Sequence, residues 1–268
     1  MAGPCATATR WPIRSPWTPS PRWRLFGRER SAARTGRVGV PAVDRQDGVM
    51  APAQALLLDV GVVLFKSAWE IADDYERLRG LPAGTVVGRG PLEWTGPDPT
   101  WERYRRGEIT EREYWLTFAD TAVANGAPLD GHPHLMRAMF QQPGVEPVRP
   151  QALALVEECK RAGKRLGILT NELMDFQGRE WVESQGWFPD FPVLVDSSEL
   201  GIRKPDPRPY LLSAELLGLS PEEIVFIDDN PAYVEGGLAV GMRSILLDVL
   251  DPGAAFDAAR AELGLGPV

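Results

Sequence analysis

Cysteine, histidine and long apolar runs are what this sequence is short of. Two cysteines, Cys5 and Cys159, occur in 268 residues. That excludes a disulfide framework and sets the expectation of a reducing, cytoplasmic setting. Cys159 falls in QALALVEECKRAG on the face that carries Ala152, Leu155 and Val156, and reads as core rather than as a reactive thiol. The two histidines, His132 and His134, form an H-x-H with nothing else at ligand spacing, which is a weak metal signal. No apolar run approaches the roughly 20 residues a membrane-spanning helix needs, so no membrane is expected as a partner.

Charge is unevenly spread. Residues 1–50 hold nine arginines against Glu29, Asp44 and Asp47, a net of +6; with −8 overall, the remaining 218 residues carry −14. An acidic body argues against nucleic acid as a partner. The basic stretch has prolines at 12, 16, 19 and 21, which forbid an early helix, and no apolar core of the kind a secretory signal needs. We read residues 1–50 as a disordered extension, or as sequence upstream of a true start at Met50, since patterned sequence begins just after it.

From Met50 onward, short buried runs alternate with helical patterns. LLLDVG, KRLGILTN, FPVLVDSS, EEIVFIDDN and RSILLDV read as strands; PQALALVEECKRAG, ELMDFQGREWVESQG, DPRPYLLSAELLG and PAYVEGGLAVG read as helices. This alternation predicts an α/β fold, a doubly wound, Rossmann-like parallel sheet covered on both faces. Ligands of such sheets sit at the carboxyl ends of the strands. There the sequence places Asp59, Thr170, and the pair Asp228 and Asp229, with Lys204 in the loop after the third strand. Asp59 ends an otherwise apolar run, where an unpaired charge costs several kcal/mol. Each group has a bland reading alone, as turn, helix cap or solvated charge. Their gathering at one sheet edge predicts a single site.

About 80 residues, Lys66 to Val148, separate the first strand from the helix leading to the second. This exceeds an ordinary crossover. The patterns SAWEIADDYERLRG, PTWERYRRG, TEREYWLTFADTAVANG and HPHLMRAMFQ predict a helical cap over 66–148, leaving 51–65 and 149–268 as the core. Thr110 to Glu113 has the form of a capping box. Trp69, Trp94, Trp101, Tyr104 and Trp115 line a substrate pocket on one reading and pack the cap helices on the other.

Two carboxylates from different strands, Asp59 and Asp229, suit a hard dication such as Mg²⁺, which keeps waters and binds phosphate oxygens. A lysine and a threonine hydroxyl hold the remaining phosphate oxygens. So arranged, Asp59 attacks phosphorus, and water hydrolyses the aspartyl-phosphate. The expected partner is a small phosphorylated substrate; oligomeric state is left open.

LLLDVGVVL, LGILTNE, ELGIRKPDPRPY and IVFIDDN, in that order, resemble the four motifs of the haloacid dehalogenase (HAD) superfamily, and the insertion after the first resembles its helical C1 cap. WERYRRGEITEREYW and SSELGIRKPDPRPYLLSAELLGLSPEEIVFIDDN are similar to sugar-phosphate phosphatases of the α-D-glucose-1-phosphate phosphatase type. The resemblance spans about residues 53 to 250. It implies that Asp59 is nucleophile and metal ligand, and that the carbonyl of Gly61 is a second ligand. It further implies that Thr170 and the Asn171 amide hold phosphate, that Lys204 stabilises Asp59 and the transferring group, and that Asp229 binds Mg²⁺ directly with Asp228 in support.

Two positions depart from the pattern. Phosphatases of the superfamily usually carry a second Asp, as general acid and base, where this chain has Gly61; the glucose-1-phosphate phosphatase-like group also has Gly there. The leaving-group proton must then come from water, substrate or another side chain. Tyr233 replaces an Asn or Asp that helps orient the site. Tyrosine there fills the space and donates a hydrogen bond, or marks an altered function. The competing expectations are a metal-free 2-haloacid dehalogenase and a catalytically degenerate fold used for binding.

Overall fold

The structure, a computed structural model, describes residues 51–86, 90–92, 98–128 and 135–266. The chain divides into two units, Met1–Val49 and Met50–Val268, and all described residues belong to the second. The expectations for residues 1–50, Trp94, His132 and His134 fall outside the described residues.

Among the described residues the five strands are β1 (Ala55–Leu58), β2 (Arg165–Thr170), β3 (Val193–Asp196), β4 (Ile224–Asp228) and β5 (Arg243–Leu246). They form one parallel sheet in the order β3-β2-β1-β4-β5. The chain winds outward from β1 to β3, then returns to add β4 on the other side. The topological switch therefore lies between β1 and β4, where open α/β sheets bind ligands.

In chain order the helices are α1 (Ala68–Arg79), α2 (Pro99–Arg105), α3 (Glu111–Ala124), α4 (Leu135–Phe140), α5 (Pro150–Arg161), α6 (Leu173–Gln177), α7 (Arg179–Ser184), α8 (Ser197–Leu200), α9 (Pro207–Leu217), α10 (Pro231–Ala239) and α11 (Pro252–Leu263). The first four make up the insertion. Strand residues alternate between two cores, as the pleat requires. Leu56, Leu58, Ile168 and Ile227 join the core that holds α5 and α11. Leu57, Leu169 and Phe226 join Tyr210, Ala214 and Leu217 of α9 on the other face. No helix among the described residues is long and apolar enough to cross a membrane.

Local sequence explains the helix ends. Ser67 and Glu70 form a reciprocal capping box on α1, as do Thr110 and Glu113 on α3. Gly80 and Gly218 end α1 and α9 in the left-handed conformation. The stretch Glu172–Gly186, expected as one helical segment, is broken into α6 and α7 because Gly178 adopts φ +82°.

Cys159 lies on the inner face of α5, fully buried. Burial pushes its thiol up to about 12, and the neighbouring Glu158 charge adds to the shift. Because the reactive species is the thiolate, Cys159 stays inert at pH 8. A thiol reagent is expected to leave the Cys159 peptide unmodified in the folded protein and to modify it in urea, as read by mass spectrometry.

The junction between insertion and sheet is tightly built. Phe65 and Val148 form an antiparallel bridge, flanked by Lys66 N–H to Pro147 O at 2.7 Å and Arg149 N–H to Leu64 O at 2.8 Å. Between Asp59 and Phe65 the chain makes a wide turn, closed by Leu64 N–H to Asp59 O at 3.3 Å and Phe65 N–H to Val60 O at 2.8 Å. Val62 in this turn has φ +61°, a rare conformation for a β-branched residue that costs about 1–3 kcal/mol. Buried Arg149 holds it there. Its Nε and Nη2 donate to the Val62 carbonyl at 3.1 and 2.8 Å, and its guanidinium grips the Glu70 carboxylate at 2.9 and 2.7 Å. Arg149→Met is therefore expected to cost about 2–4 kcal/mol in urea denaturation. Arg149→Lys should not restore it, since one ammonium cannot serve both partners of the fork.

Candidate active site

The expected site residues converge at the switch point. Asp59 follows β1 directly, Thr170 ends β2, Asp228 ends β4, and Asp229 begins the next loop. Lys204 reaches in from the loop before α9. Its Nζ donates to Asp59 Oδ1 at 2.8 Å, to Asp228 Oδ2 at 2.6 Å and to the Leu169 carbonyl at 3.1 Å. Asp59, Thr170, Lys204 and Asp228 are all buried, Asp228 completely.

One ammonium serves two carboxylates directly, and a third lies close. One oxygen from each of Asp59, Asp228 and Asp229 lies within 4.8 Å of the others. Burial alone would strip the Lys204 proton, but Asp228 and Asp59 outweigh it and hold the ammonium's pKa above the ordinary lysine range. Burial likewise pushes the Asp228 carboxyl up; Lys204 pulls it back, and the charge on Asp59 raises it again, leaving it elevated. Three carboxylate oxygens within 4.8 Å of one another are a set of hard donors, and their chemistry fits a dication such as Mg²⁺.

Around this cluster, other side chains set the loops. Asn171 Oδ1 accepts from the Lys204 N–H at 2.9 Å, and its Nδ2 reaches the Lys204 carbonyl at 3.5 Å. The Asn171 side chain thus fixes the lysine loop. Gly61 is exposed and has no side chain to offer the cluster; a Cβ there would stand 3.7 Å from Asp59 Oδ2, ordinary contact. The Tyr233 ring lies over Lys204, with Nζ 5.0 Å from its centroid. Asp196, at the end of β3, instead caps α8 through Ser198 N–H at 2.9 Å and also accepts from Met174 N–H at 2.7 Å.

A cavity of about 560 Å³ opens over these groups. Its walls include Asp59, Gly61, Thr170 and Lys204 below and Trp69, Trp101, Tyr104, Tyr114 and Trp115 above. The same rings pack one another, with Trp69 and Trp101 4.9 Å apart edge to face and Tyr114 and Trp115 at 4.9 Å. Packing and lining are therefore one role here: ring edges hold the insertion together while exposed portions face the cavity.

Two further features escaped the sequence reading. Glu172 at the cavity wall is paired with Arg203 and lies 3.7 Å from Arg112. Asn230 Nδ2 donates to the Tyr104 hydroxyl at 3.1 Å, joining the insertion to the Asp228–Asn230 loop. The pairs in these contacts are up to 126 residues apart, so no local pattern announces them.

Comparison with known proteins agrees with this architecture. Residues 53–241 match the family described as haloacid dehalogenase-like hydrolase. A phosphoserine phosphatase of Thermus thermophilus is 36% identical over 174 residues, covering 62% of this chain and 68% of that one. Hexitol phosphatase A of Escherichia coli is 36% identical over 100 residues, covering 37% of this chain and 45% of that protein. Among solved structures, the HAD-hydrolase YfnB of Bacillus subtilis, solved bound to magnesium, superposes with a TM-score of 0.57 at 18% identity, covering 80% of this chain and all of that one. The chain belongs to the haloacid dehalogenase-like hydrolase family.

Proposed function

We propose that this hydrolase is a Mg²⁺-dependent phosphatase that cleaves a small phosphorylated metabolite through an aspartyl-phosphate on Asp59. The observation that carries the reading is the cluster of Asp59, Asp228 and Asp229, with the Lys204 ammonium bridging the buried pair Asp59 and Asp228. Three carboxylate oxygens gathered so closely favour metal-assisted attack on a phosphate over the metal-free dehalogenase alternative. A fold kept only for binding would have no need of so costly an arrangement. The phosphatase names of the two relatives point the same way.

Asp59, Asp229 and the Gly61 carbonyl would hold the cation, with Asp228 in support; when bound, it neutralises phosphate charge and polarises the ester. The chain's own groups do the rest. Lys204 orients the Asp59 carboxylate and balances charge on the transferring group. The Thr170 hydroxyl and the Asn171 main-chain N–H hold the non-bridging oxygens. The aromatic walls above exclude water and receive the organic part of the ester, which selects a compact substrate.

The test is phosphate release from a panel of sugar phosphates, amino-acid phosphates and an aryl phosphate, with Mg²⁺ and with chelator. Release that requires Mg²⁺ is expected for at least one compact ester. Metal-independent halide release from a 2-haloacid, without phosphate release from any ester, would transfer the site to the dehalogenase reading.

A further inference from the structure

We propose that Lys66, the first residue of the insertion, pairs with a carboxylate on the organic part of the substrate, so that the enzyme selects phosphate esters that carry a carboxylate. This rests on the phosphatase reading above and names the substrate class of the same site.

Among the described residues that line the cavity, two are cations, Lys66 and Lys204. Their situations differ. The Lys204 ammonium donates to Asp59, Asp228 and the Leu169 carbonyl, so its three protons are all placed. Lys66 is half-buried, and among the described residues its ammonium has no hydrogen bond, ion pair or ring contact. The carboxylates of the cavity wall are engaged elsewhere. Asp59 serves Lys204, Glu172 serves Arg203, Asp229 belongs to the acidic cluster, and Asp248 accepts from Leu250 N–H at 2.9 Å. A cation with three unused donors on the wall of a substrate cavity is a recognition group for an anion.

The backbone fixes where Lys66 stands. The turn after Asp59 brings the chain back, so that Phe65 N–H donates to the Val60 carbonyl at 2.8 Å. Lys66 follows directly. Its own N–H donates to Pro147 O at 2.7 Å, and Ser67 beyond it caps α1. These bonds put the Cα atoms of Lys66 and Asp59 on the order of 10 Å apart, and a lysine stem spans about 6 Å. That reach fits the body of a compact ester held between a phosphate at Asp59 and an anion at Lys66.

The transferring phosphate does not need this lysine. In the reading above its oxygens are held by Thr170, the Asn171 main chain, Lys204 and the cation. Lys66 belongs instead to the insertion, whose walls receive the organic part. A carboxylate suits it better than a second phosphate. One ammonium balances one negative charge, and a second phosphate would bring surplus charge into a cavity whose wall already carries Asp248.

The experiment measures kcat and KM of the full chain with Mg²⁺ on two matched series. One is carboxymethyl, 2-carboxyethyl and 3-carboxypropyl phosphate; the other is ethyl, propyl and butyl phosphate. In wild type, kcat/KM for the best carboxylated ester is expected to exceed that of its alkyl match by about 10–100-fold, the worth of a hydrogen bond to a charged group. Lys66→Met, which keeps the stem, should abolish that preference, chiefly through KM. Lys66→Arg should retain it, and Lys66→Glu should reverse it. No preference in wild type, a preference that survives in Lys66→Met, or equal losses on both series overturns the assignment; the last would put Lys66 on the transferring phosphate or in the scaffold. So does a Lys66-dependent preference for 1,3-propanediol bisphosphate over every carboxylated ester. Alkyl phosphate turnover that vanishes in Asp59→Asn sustains the phosphatase reading whatever Lys66 does. A wild type that cleaves 4-nitrophenyl phosphate and neither series keeps that reading and overturns the assignment; one inert to all of them ends both.

Discussion

Asp59→Asn is expected to abolish phosphate release from every ester the wild-type protein cleaves, a loss on the order of 10⁴-fold or more. The amide keeps the shape of the carboxylate and an oxygen for the 2.8 Å bond from Lys204. It lacks the charge and nucleophilicity to open a phosphate ester. Stability should move the other way. Asp59 and Asp228 share one ammonium with a third carboxylate close by, so neutralising Asp59 relieves repulsion, and the melting temperature of the metal-free variant should equal or exceed that of wild type. A variant that loses activity and stability together would assign Asp59 to the scaffold.

Lys204→Met is the second large effect. It leaves Asp59 and Asp228 facing each other in a buried site without their shared ammonium. Removing one partner of a buried ion pair costs about 3–5 kcal/mol, most of it from the charge left behind. Urea denaturation without metal should show that loss. Adding Asp228→Asn should recover a large part of it, because the isolated charge goes too. Additive losses in the double variant would mean that the lysine stabilises through its packing against Phe226 and Tyr233 rather than through charge.

The sheet and the carboxylate cluster were legible in the sequence for a shared reason. Strands buried on both faces announce themselves as short apolar runs, and an aspartate at the end of one conflicts with its surroundings, as at Asp59 and Asp228. Both signals are local. What stayed hidden depends on chain reversal. Arg149 looks like a residue before a helix-starting proline, and Glu70 like half of a capping box. Only the fold brings them together, 79 residues apart, over the Val62 carbonyl. Tyr104 was visible as an aromatic in the insertion, but its bond to Asn230 was not. Asn171 shows the opposite limit: the position was legible, yet the partner of its side chain, the Lys204 backbone, was not. The break at Gly178 was missed because helical pattern continues on both sides of a residue whose conformation alone divides it.

The central claim is a covalent phosphoryl group on Asp59, and it is tested most directly by acid-quenching the enzyme during turnover of a phosphate ester and mapping the adduct by peptide mass spectrometry. The account predicts one phosphoryl group on the peptide containing Asp59, absent in Asp59→Asn and discharged when turnover is allowed to finish. A phosphoryl group on any other residue, or phosphate release with no adduct at any quench time, would contradict it.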